Sequence, residues 1–148
     1  MDHAEAIARE EIRDVISRYN HAGDRGRLDE LVRCFAPDGV LDLKDTPPLE
    51  GRDAIAAHLG GVVTRLAAAT TRPVLRHHVS SIRIELEGGD AASAASYFLV
   101  FTEVGLDHWG RYGDRFARIE GEWLIAHRRV RVDGATPSSR MALEHRVA

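Results

Sequence analysis

The sequence contains a single cysteine, Cys34, in 148 residues. A lone cysteine excludes an internal disulfide. Cys34 lies among the apolar residues Leu31, Val32 and Phe35. Because free cysteines in such surroundings usually pack as small apolar side chains, we expect Cys34 to belong to the core and not to act as a nucleophile.

An excess of basic residues and a long apolar run are also absent. The 20 Lys and Arg residues are outnumbered by 23 Asp and Glu residues, and the formal net charge is -3. No basic stripe is present, so no nucleic-acid partner is expected. No segment approaches the roughly 18 apolar residues of a membrane span, and the first five residues contain no apolar run. We therefore expect a cytoplasmic protein without a membrane partner.

Motifs for metal and nucleotide binding are missing as well. No His-x-His or His-x-x-x-His pair occurs with a carboxylate, and the adjacent His77 and His78 would point to opposite faces of a strand. There is no Gly-x-Gly-x-x-Gly after a strand and no phosphate loop. We therefore expect no metal and no nicotinamide, flavin or nucleotide cofactor. For an enzyme, these absences favour cofactor-free acid–base catalysis.

The first half of the sequence has the period of helices. With 44% hydrophobic and 29% charged residues, the chain is predicted to form one domain over its whole length. Asp2 and Glu5 have capping-box spacing, and apolar residues then recur every three to four positions up to Gly23. A second periodic set runs to Ala36-Pro37, where proline stops it, and a third helix begins after Gly51.

The second half of the sequence has the period of strands. A short strand at 40–43 comes first, and longer strands are predicted at 79–86 and 91–104, joined at Gly88-Gly89. Two further runs meet at Glu120-Gly121 in a tight hairpin, where glycine supplies a positive φ. Helices followed by four long antiparallel strands indicate an α+β domain with its helices on one face of a curved sheet. A small ligand would bind between the two layers.

The hairpin turn predicts the pairing of its two strands. With Glu120-Gly121 as the loop, Asp114 lies opposite His127 and Tyr112 lies opposite Arg129, unless a bulge rearranges them. The other face then carries three arginines, Arg111, Arg115 and Arg128. We expect them to form ion pairs with Asp or Glu, and binding of a substrate carboxylate is the alternative.

Four motifs follow one another along the chain. They are a string from Tyr19 to Asp38, the helix start Gly51 to Ile55, the strand start Arg76-His77-His78 and the hairpin from Gly110 to Arg128. In this order they resemble the SnoaL-like branch of the nuclear transport factor 2-like superfamily over nearly the whole chain. The resemblance implies a cone-shaped α+β fold, in which a curved mixed or antiparallel sheet packs on three N-terminal helices, and a homodimer or homotrimer. It does not name the reaction, because this fold hosts many activities.

Within that superfamily the layout is similar to the scytalone dehydratase and hexachlorocyclohexane dehydrochlorinase group, whose members use an Asp after the first helix and a His on the first long strand. The resemblance carries these roles to Asp24 and His77. The imidazole would remove a proton, and the carboxylate would fix its tautomer and stabilise the imidazolium. Scytalone dehydratase also has two tyrosines where this chain has Gly23 and Leu43, so the substrate stays open. Asp24 has an alternative role as a helix cap.

Only one of the two adjacent histidines can face a pocket. Strict alternation places His78 with Ile82 and Ile84, whereas a bulge near Ser80-Ser81 places His77 with them. We expect His77 to face inward. The candidate substrate-binding residues are Tyr19, His78, Tyr112, Asp114, Phe116 and Arg128.

Three classes of function fit these observations. The first is a cofactor-free dehydratase-like lyase or isomerase that acts through Asp24 and His77 on a small, largely apolar cyclic or polyketide-like molecule. The second is a non-catalytic assembly subunit of the same fold, and the third is a plain ligand-binding protein. His108, near a strand end, is expected in a solvated turn, with a place at the pocket rim as the alternative.

Association of copies is expected from the second long strand. Its Tyr97, Leu99 and Phe101 alternate with Phe98 and Val100, so both faces of the strand are apolar. One layer of helices can cover only one face of a sheet. We therefore expect the other face to be buried by a second copy, in a homodimer or homotrimer.

Overall fold

The computed structural model describes residues 1–141. Three helices and six strands follow one another along the chain. The helices are α1 (His3–Asp24), α2 (Leu28–Arg33) and α3 (Arg52–Ala67). The strands are β1 (Phe35–Leu43), β2 (Leu49–Glu50), β3 (Arg76–Leu86), β4 (Ala91–Thr102), β5 (Gly105–Ile119) and β6 (Glu122–Ala135).

The six strands form one mixed sheet in the order β2-β1-β6-β5-β4-β3. Strands β3 to β6 form an antiparallel meander, and β1 pairs with β6 in parallel. The helices pack on the inner face of the sheet, where α1 buries Ile12, Val15 and Ile16 in the main core. The predicted α+β architecture is thereby confirmed.

Helix α1 begins as its sequence predicts, with a reciprocal capping box between Asp2 and Glu5. Helix α2 is shorter than predicted, because it ends at Arg33 and Phe35 already belongs to β1. The reason is a long-range contact: Phe35 pairs with Ile125 of β6, and the Ile125 N–H donates to the Cys34 carbonyl at 2.8 Å. Cys34 is buried, as expected.

The predicted hairpin register holds near the turn and is wrong beyond it. Glu120 and Gly121 both have positive φ, at 51° and 82°, and the pairing runs as predicted to Phe116 opposite Ile125. The register then shifts by one residue, at Ala126 of β6. The single extra residue in one strand changes every pair behind it.

The shift corrects the two predicted pairings. Asp114 lies opposite Arg128 and not His127, and Tyr112 lies opposite Val130 and not Arg129. Arg128 therefore leaves the face that the prediction gave it and points inward with Asp114. The two other arginines of that set, Arg111 and Arg115, form exposed ion pairs with Asp133 and Glu87.

The outer face of β4 carries exposed apolar side chains. Tyr97 is 58% exposed, and Leu99 and Phe101 are 38% and 39% exposed. Their neighbours in sequence, Phe98 and Val100, are buried on the inner face. Within residues 1–141, no helix is both long enough and apolar enough to cross a membrane.

Candidate functional site

Asp24 and His77 lie side by side on the inner face. Asp24 is the last residue of α1, and His77 is the second residue of β3. The Asp24 Oδ1 atom is 2.5 Å from His77 Nδ1, and Asp24 Oδ2 accepts the His77 backbone N–H at 3.0 Å. The alternative role of Asp24 as a cap is not realised, since α2 begins at Leu28 and its N-cap residue, Arg27, makes no side-chain cap hydrogen bond.

A bulge in β3 sets the direction of the adjacent histidines. Ser81 has φ 52°, and the pairing with β4 shifts between Ser80 and Arg83. Because of this bulge, His77 can share the inner face with Ile84. His78 lies on the outer face, where its ring is 5.2 Å from that of Phe101. It therefore lies on the face of the sheet opposite to Asp24 and His77.

An aromatic cluster adjoins His77. The Phe98 ring centroid lies 6.3 Å from that of the imidazole. The Phe98 ring stacks on the Tyr112 ring, with 4.7 Å between the centroids. The Tyr112 hydroxyl donates to Asn20 Oδ1 at 3.1 Å, and burial raises its pKa. Tyr19 packs edge-on against Tyr112 at 6.3 Å. Of the predicted binding residues, Tyr19 and Tyr112 thus lie in one cluster that reaches His77 through Phe98.

Arg128 is held behind this cluster as a buried cation. Its Nε and Nη2 atoms donate to Asp114 at 2.8 and 2.7 Å, and both side chains are 0% exposed. The guanidinium lies 4.3 Å from the Tyr19 ring and 4.0 Å from the Tyr112 ring. Burial acts to lower the pKa of Arg128, but the charge and hydrogen bonds of Asp114 raise it. Arg128 Nη1 is buried without a hydrogen-bond partner among the described residues.

Phe116 belongs to a different part of the molecule. It is 2% exposed and packs in the main core with Trp123 and Ile125, whereas Phe98 and Tyr112 form a second apolar cluster. Phe116 is therefore enclosed in the main core, and its contact with a ligand stays a prediction.

A second Asp–His pair was missed by the sequence reasoning. His108 was expected in a solvated turn, but it is buried, with 8% of its surface exposed. Its Nδ1 atom is 2.8 Å from Asp107 Oδ1. A signal was present: His108 is separated from Tyr112 and Asp114 by even numbers of residues, which places all three on one face of an unbroken strand. The pairing of β5 with β4 from His108 to Phe116 is indeed continuous.

The burial of His108 has a consequence for the pH dependence of folding. Burial lowers the pKa of its imidazole, and the nearby His77 lowers it as well, against the raising effect of Asp107. The unfolded chain then binds more protons than the native state below the ordinary histidine pKa of about 6.5. The contribution of His108 to the free energy of unfolding is therefore present above that pH and declines as the pH falls.

We expect His108→Phe to remove this part of the pH dependence. The free energy of unfolding, measured by urea denaturation from roughly pH 8 to pH 5, should decline less steeply for the variant than for the wild type. The comparison concerns the slope and not the absolute stability, which the substitution also changes. Parallel slopes would contradict the lowered pKa.

A cavity of about 470 Å³ lies elsewhere on the molecule. It is formed by α1 residues from Ile7 to Arg18 and by the hairpin segment Gly121 to Trp123, and neither Asp24 nor His77 lines it. This cavity lies between α1 and the β5–β6 turn and is separate from the Asp24–His77 pair. Among residues 1–141, no three His, Cys, Asp or Glu side chains are grouped so as to hold a metal ion.

Several known proteins are similar to this chain over most of its length. An uncharacterised protein of Mycobacterium tuberculosis is 30% identical over 135 residues, covering 84% of this chain and 85% of that one. A structure from Catenulispora acidiphila in complex with S-DNPA is 28% identical, with a TM-score of 0.75 over 86% of this chain and 95% of that one. A candidate scytalone dehydratase of Novosphingobium aromaticivorans has a TM-score of 0.78 at 22% identity, over 92% and 91% of the two chains, and shows the shared fold.

The family assignment follows from the length of the matched region. The sequence profile of the SnoaL-like domain matches residues 4–129, which include all of the motifs on which the resemblance was based. The structural neighbours have the same α+β architecture. The chain belongs to the SnoaL-like domain family.

Proposed function

We propose that the protein is a cofactor-free acid–base enzyme, a dehydratase-like lyase or an isomerase, that acts on a small, largely apolar cyclic or polyketide-like molecule. One observation carries the proposal. The Asp24 carboxylate forms hydrogen bonds with both the backbone N–H and the ring Nδ1 of His77. His77 Nε2 makes no hydrogen bond to any described residue, and the His77 side chain is 20% exposed.

The two hydrogen bonds give each residue a role in proton transfer. With its proton on Nδ1, directed at Asp24, His77 carries a free electron pair on Nε2 and can act as a general base. The base takes a proton from a carbon atom, and the C–H electron pair forms a double bond. In an elimination the leaving group departs from the adjacent carbon with its electron pair. In an isomerisation the imidazolium returns the proton to another carbon. In both cases Asp24 stabilises the imidazolium.

The surroundings of His77 favour an apolar ring as substrate. The Phe98 ring lies beside the imidazole, and Tyr112 stacks on the Phe98 ring. The unpaired Nη1 of Arg128 is a donor next to the same cluster. Because Arg128 is fully buried behind this cluster, its positive charge would act on a carbonyl oxygen that gains negative charge from a distance and not through a direct hydrogen bond. The S-DNPA complex of a relative 28% identical supports ligand binding by this fold.

The proposal is tested by proton exchange, which requires no knowledge of the natural substrate. Cyclic ketones, phenols and polyketide-like compounds are screened by thermal shift, and each ligand is then followed by NMR in D₂O for exchange at its acidic carbon. His77→Ala should slow the exchange on the order of 100-fold or more, because it removes the base. His78→Ala is the matched control, since this neighbour lies on the outer face, and it should exchange like the wild type. Equal rates in all three proteins would reject the base.

A second candidate function is a non-catalytic ligand-binding or assembly subunit. The observation that favours it is the close packing next to His77, where Phe98 is 2%, Val100 0% and Tyr112 4% exposed. A filled inner face leaves less room for a substrate. Absence of ligand-dependent stabilisation across the screen, together with a stable complex between copies, would favour this function over catalysis.

We further propose that copies associate through the outer face of β4 into a homodimer or homotrimer. Tyr97, Leu99 and Phe101 form the apolar surface that a second copy would cover. Sedimentation at micromolar concentration should detect the oligomer, and Leu99→Glu should shift it to monomer because a charge would be buried there. Glu103→Gln, outside the three apolar positions, should leave the oligomer intact. Detection of monomer alone in the wild type would reject the proposal.

A further inference from the structure

The pair Asp107–His108 lies on the inner face of the sheet, and the proton transfer proposed for His77 leaves it unused. The Asp107 side chain is 0% exposed and that of His108 is 10% exposed. Buried charged groups are costly unless they are paired and hydrogen-bonded. Such a pair therefore needs either a structural or a chemical reason.

Backbone pairing places His108 in line with His77. Val100 pairs with His77 of β3 on one side and with His108 of β5 on the other. Directly paired residues point to the same face, so the two imidazoles flank Val100 at a Cα separation of about 10 Å, two strand spacings. The Phe98 ring centroid is 6.3 Å from each imidazole. A ligand that lies against Phe98 next to His77 would therefore meet His108 on its other side.

The hydrogen bonds of Asp107 decide which nitrogen of His108 carries the proton. Asp107 accepts from the Arg140 backbone N–H at 2.7 Å, the Ser139 hydroxyl at 2.5 Å and the Thr102 hydroxyl at 3.0 Å, in addition to His108. Burial acts to raise the pKa of this carboxyl, but these four donors lower it below its usual range. An ionised Asp107 can only accept, so the proton of neutral His108 lies on Nδ1 and Nε2 carries a free electron pair.

We propose that His108 is a specificity-determining residue whose Nε2 accepts a hydrogen bond from a hydroxyl group of the substrate. The substrates would then be ring compounds that carry a hydroxyl, such as phenols and cyclic alcohols. An ether or ketone oxygen at this place has no proton to donate, so its lone pair would face the lone pair of His108 Nε2 and repel it. The inference rests on the proposed function, because the substrate in question is the molecule on which His77 acts.

The test compares β-naphthol with its methyl ether, in which a methyl group replaces the hydroxyl hydrogen. The wild-type protein should bind β-naphthol roughly 10-fold more tightly, the ratio expected when one buried acceptor is left unpaired. His108→Phe, which keeps an aromatic ring but removes the acceptor, should bind both probes equally. His78→Ala should retain the wild-type ratio. Equal binding by the wild type, or no binding of either probe at millimolar concentration, would overturn the proposal.

A second readout, the tautomer of His108, can be measured without any ligand. In ¹⁵N NMR spectra at neutral pH, His108 should be neutral with its proton on Nδ1. In Asp107→Asn the amide group can donate to Nδ1, so the ring proton should move to Nε2 and the preference for β-naphthol should be lost. A wild-type His108 protonated on Nε2 would overturn the proposal even if the variant failed to fold.

The failure of this inference is distinguishable from that of the proposed function. Binding of the two probes requires no base, so His77→Ala should retain the preference for β-naphthol. If that preference is found but no carbon proton exchanges through His77, the assignment of His108 stands and catalysis by His77 is rejected. If exchange through His77 is found without a preference for β-naphthol, catalysis by His77 stands and the assignment of His108 is rejected.

Discussion

Asp24→Asn is expected to lower the rate of the proton exchange by roughly 100-fold to 10,000-fold without unfolding the protein. The effect is large because residue 24 must supply two hydrogen-bond acceptors to His77. The Asp24 carboxylate accepts two N–H groups of His77, at 3.0 Å from the backbone and 2.5 Å from the ring. An asparagine has one acceptor oxygen and one NH₂ group, so it can satisfy only one of the two.

The substitution should therefore switch the tautomer of His77. If the asparagine oxygen keeps the backbone N–H, the NH₂ group faces Nδ1 and the ring proton moves to Nε2. The nitrogen that would act as base is then protonated, and no carboxylate remains to stabilise the imidazolium. ¹⁵N NMR of the histidine side chains measures this switch directly, and the wild type should show His77 protonated on Nδ1.

The double variant separates a working pair from two independent contributions. Asp24→Asn combined with His77→Ala should lose little more activity than either single variant, because groups that act as a unit are not additive. His78→Ala again serves as the control. Losses that multiply in the double variant, or an unchanged tautomer in Asp24→Asn, would contradict the mechanism.

The largest expected effect on stability comes from Asp114→Ala. Asp114 and Arg128 form a two-point ion pair with both side chains 0% exposed. Removing the carboxylate leaves the Arg128 cation buried between Tyr19 and Tyr112 without a counter-charge. Breaking a buried ion pair from one side typically costs about 3 to 5 kcal/mol. Urea unfolding at neutral pH should show a loss of this size.

Two further variants show whether the loss comes from the buried charge. Asp133→Ala removes the partner of Arg111 in an exposed ion pair and should cost less than about 1 kcal/mol. Asp114→Leu combined with Arg128→Met removes both charges, and it should recover much of the loss because apolar residues of similar volume often replace a buried ion pair without penalty. An Asp114→Ala variant as stable as Asp133→Ala would disprove the argument.

Local signals in the sequence were sufficient for much of the fold. The capping box at Asp2 and Glu5, the apolar period of α1 and the positive φ of Gly121 depend on neighbouring residues alone, and each is present. The candidates Asp24 and His77 came from a family resemblance, and the structure brings them into contact. Their catalytic roles stay predictions.

Register and the membership of the site depended on contacts between distant residues. Alternation along a strand assigns faces, but one inserted residue reverses the assignment for every position behind it. At Ala126 such an insertion brings Arg128 inward to Asp114, and between Ser80 and Arg83 another allows His77 to face inward. Phe35 joins a strand because β6 offers it a partner. His108 is buried because Asp107 finds its donors at Ser139 and Arg140, more than thirty residues further along the chain. Only the tertiary structure decided these features, since each depends on where distant segments supply hydrogen bonds and close packing.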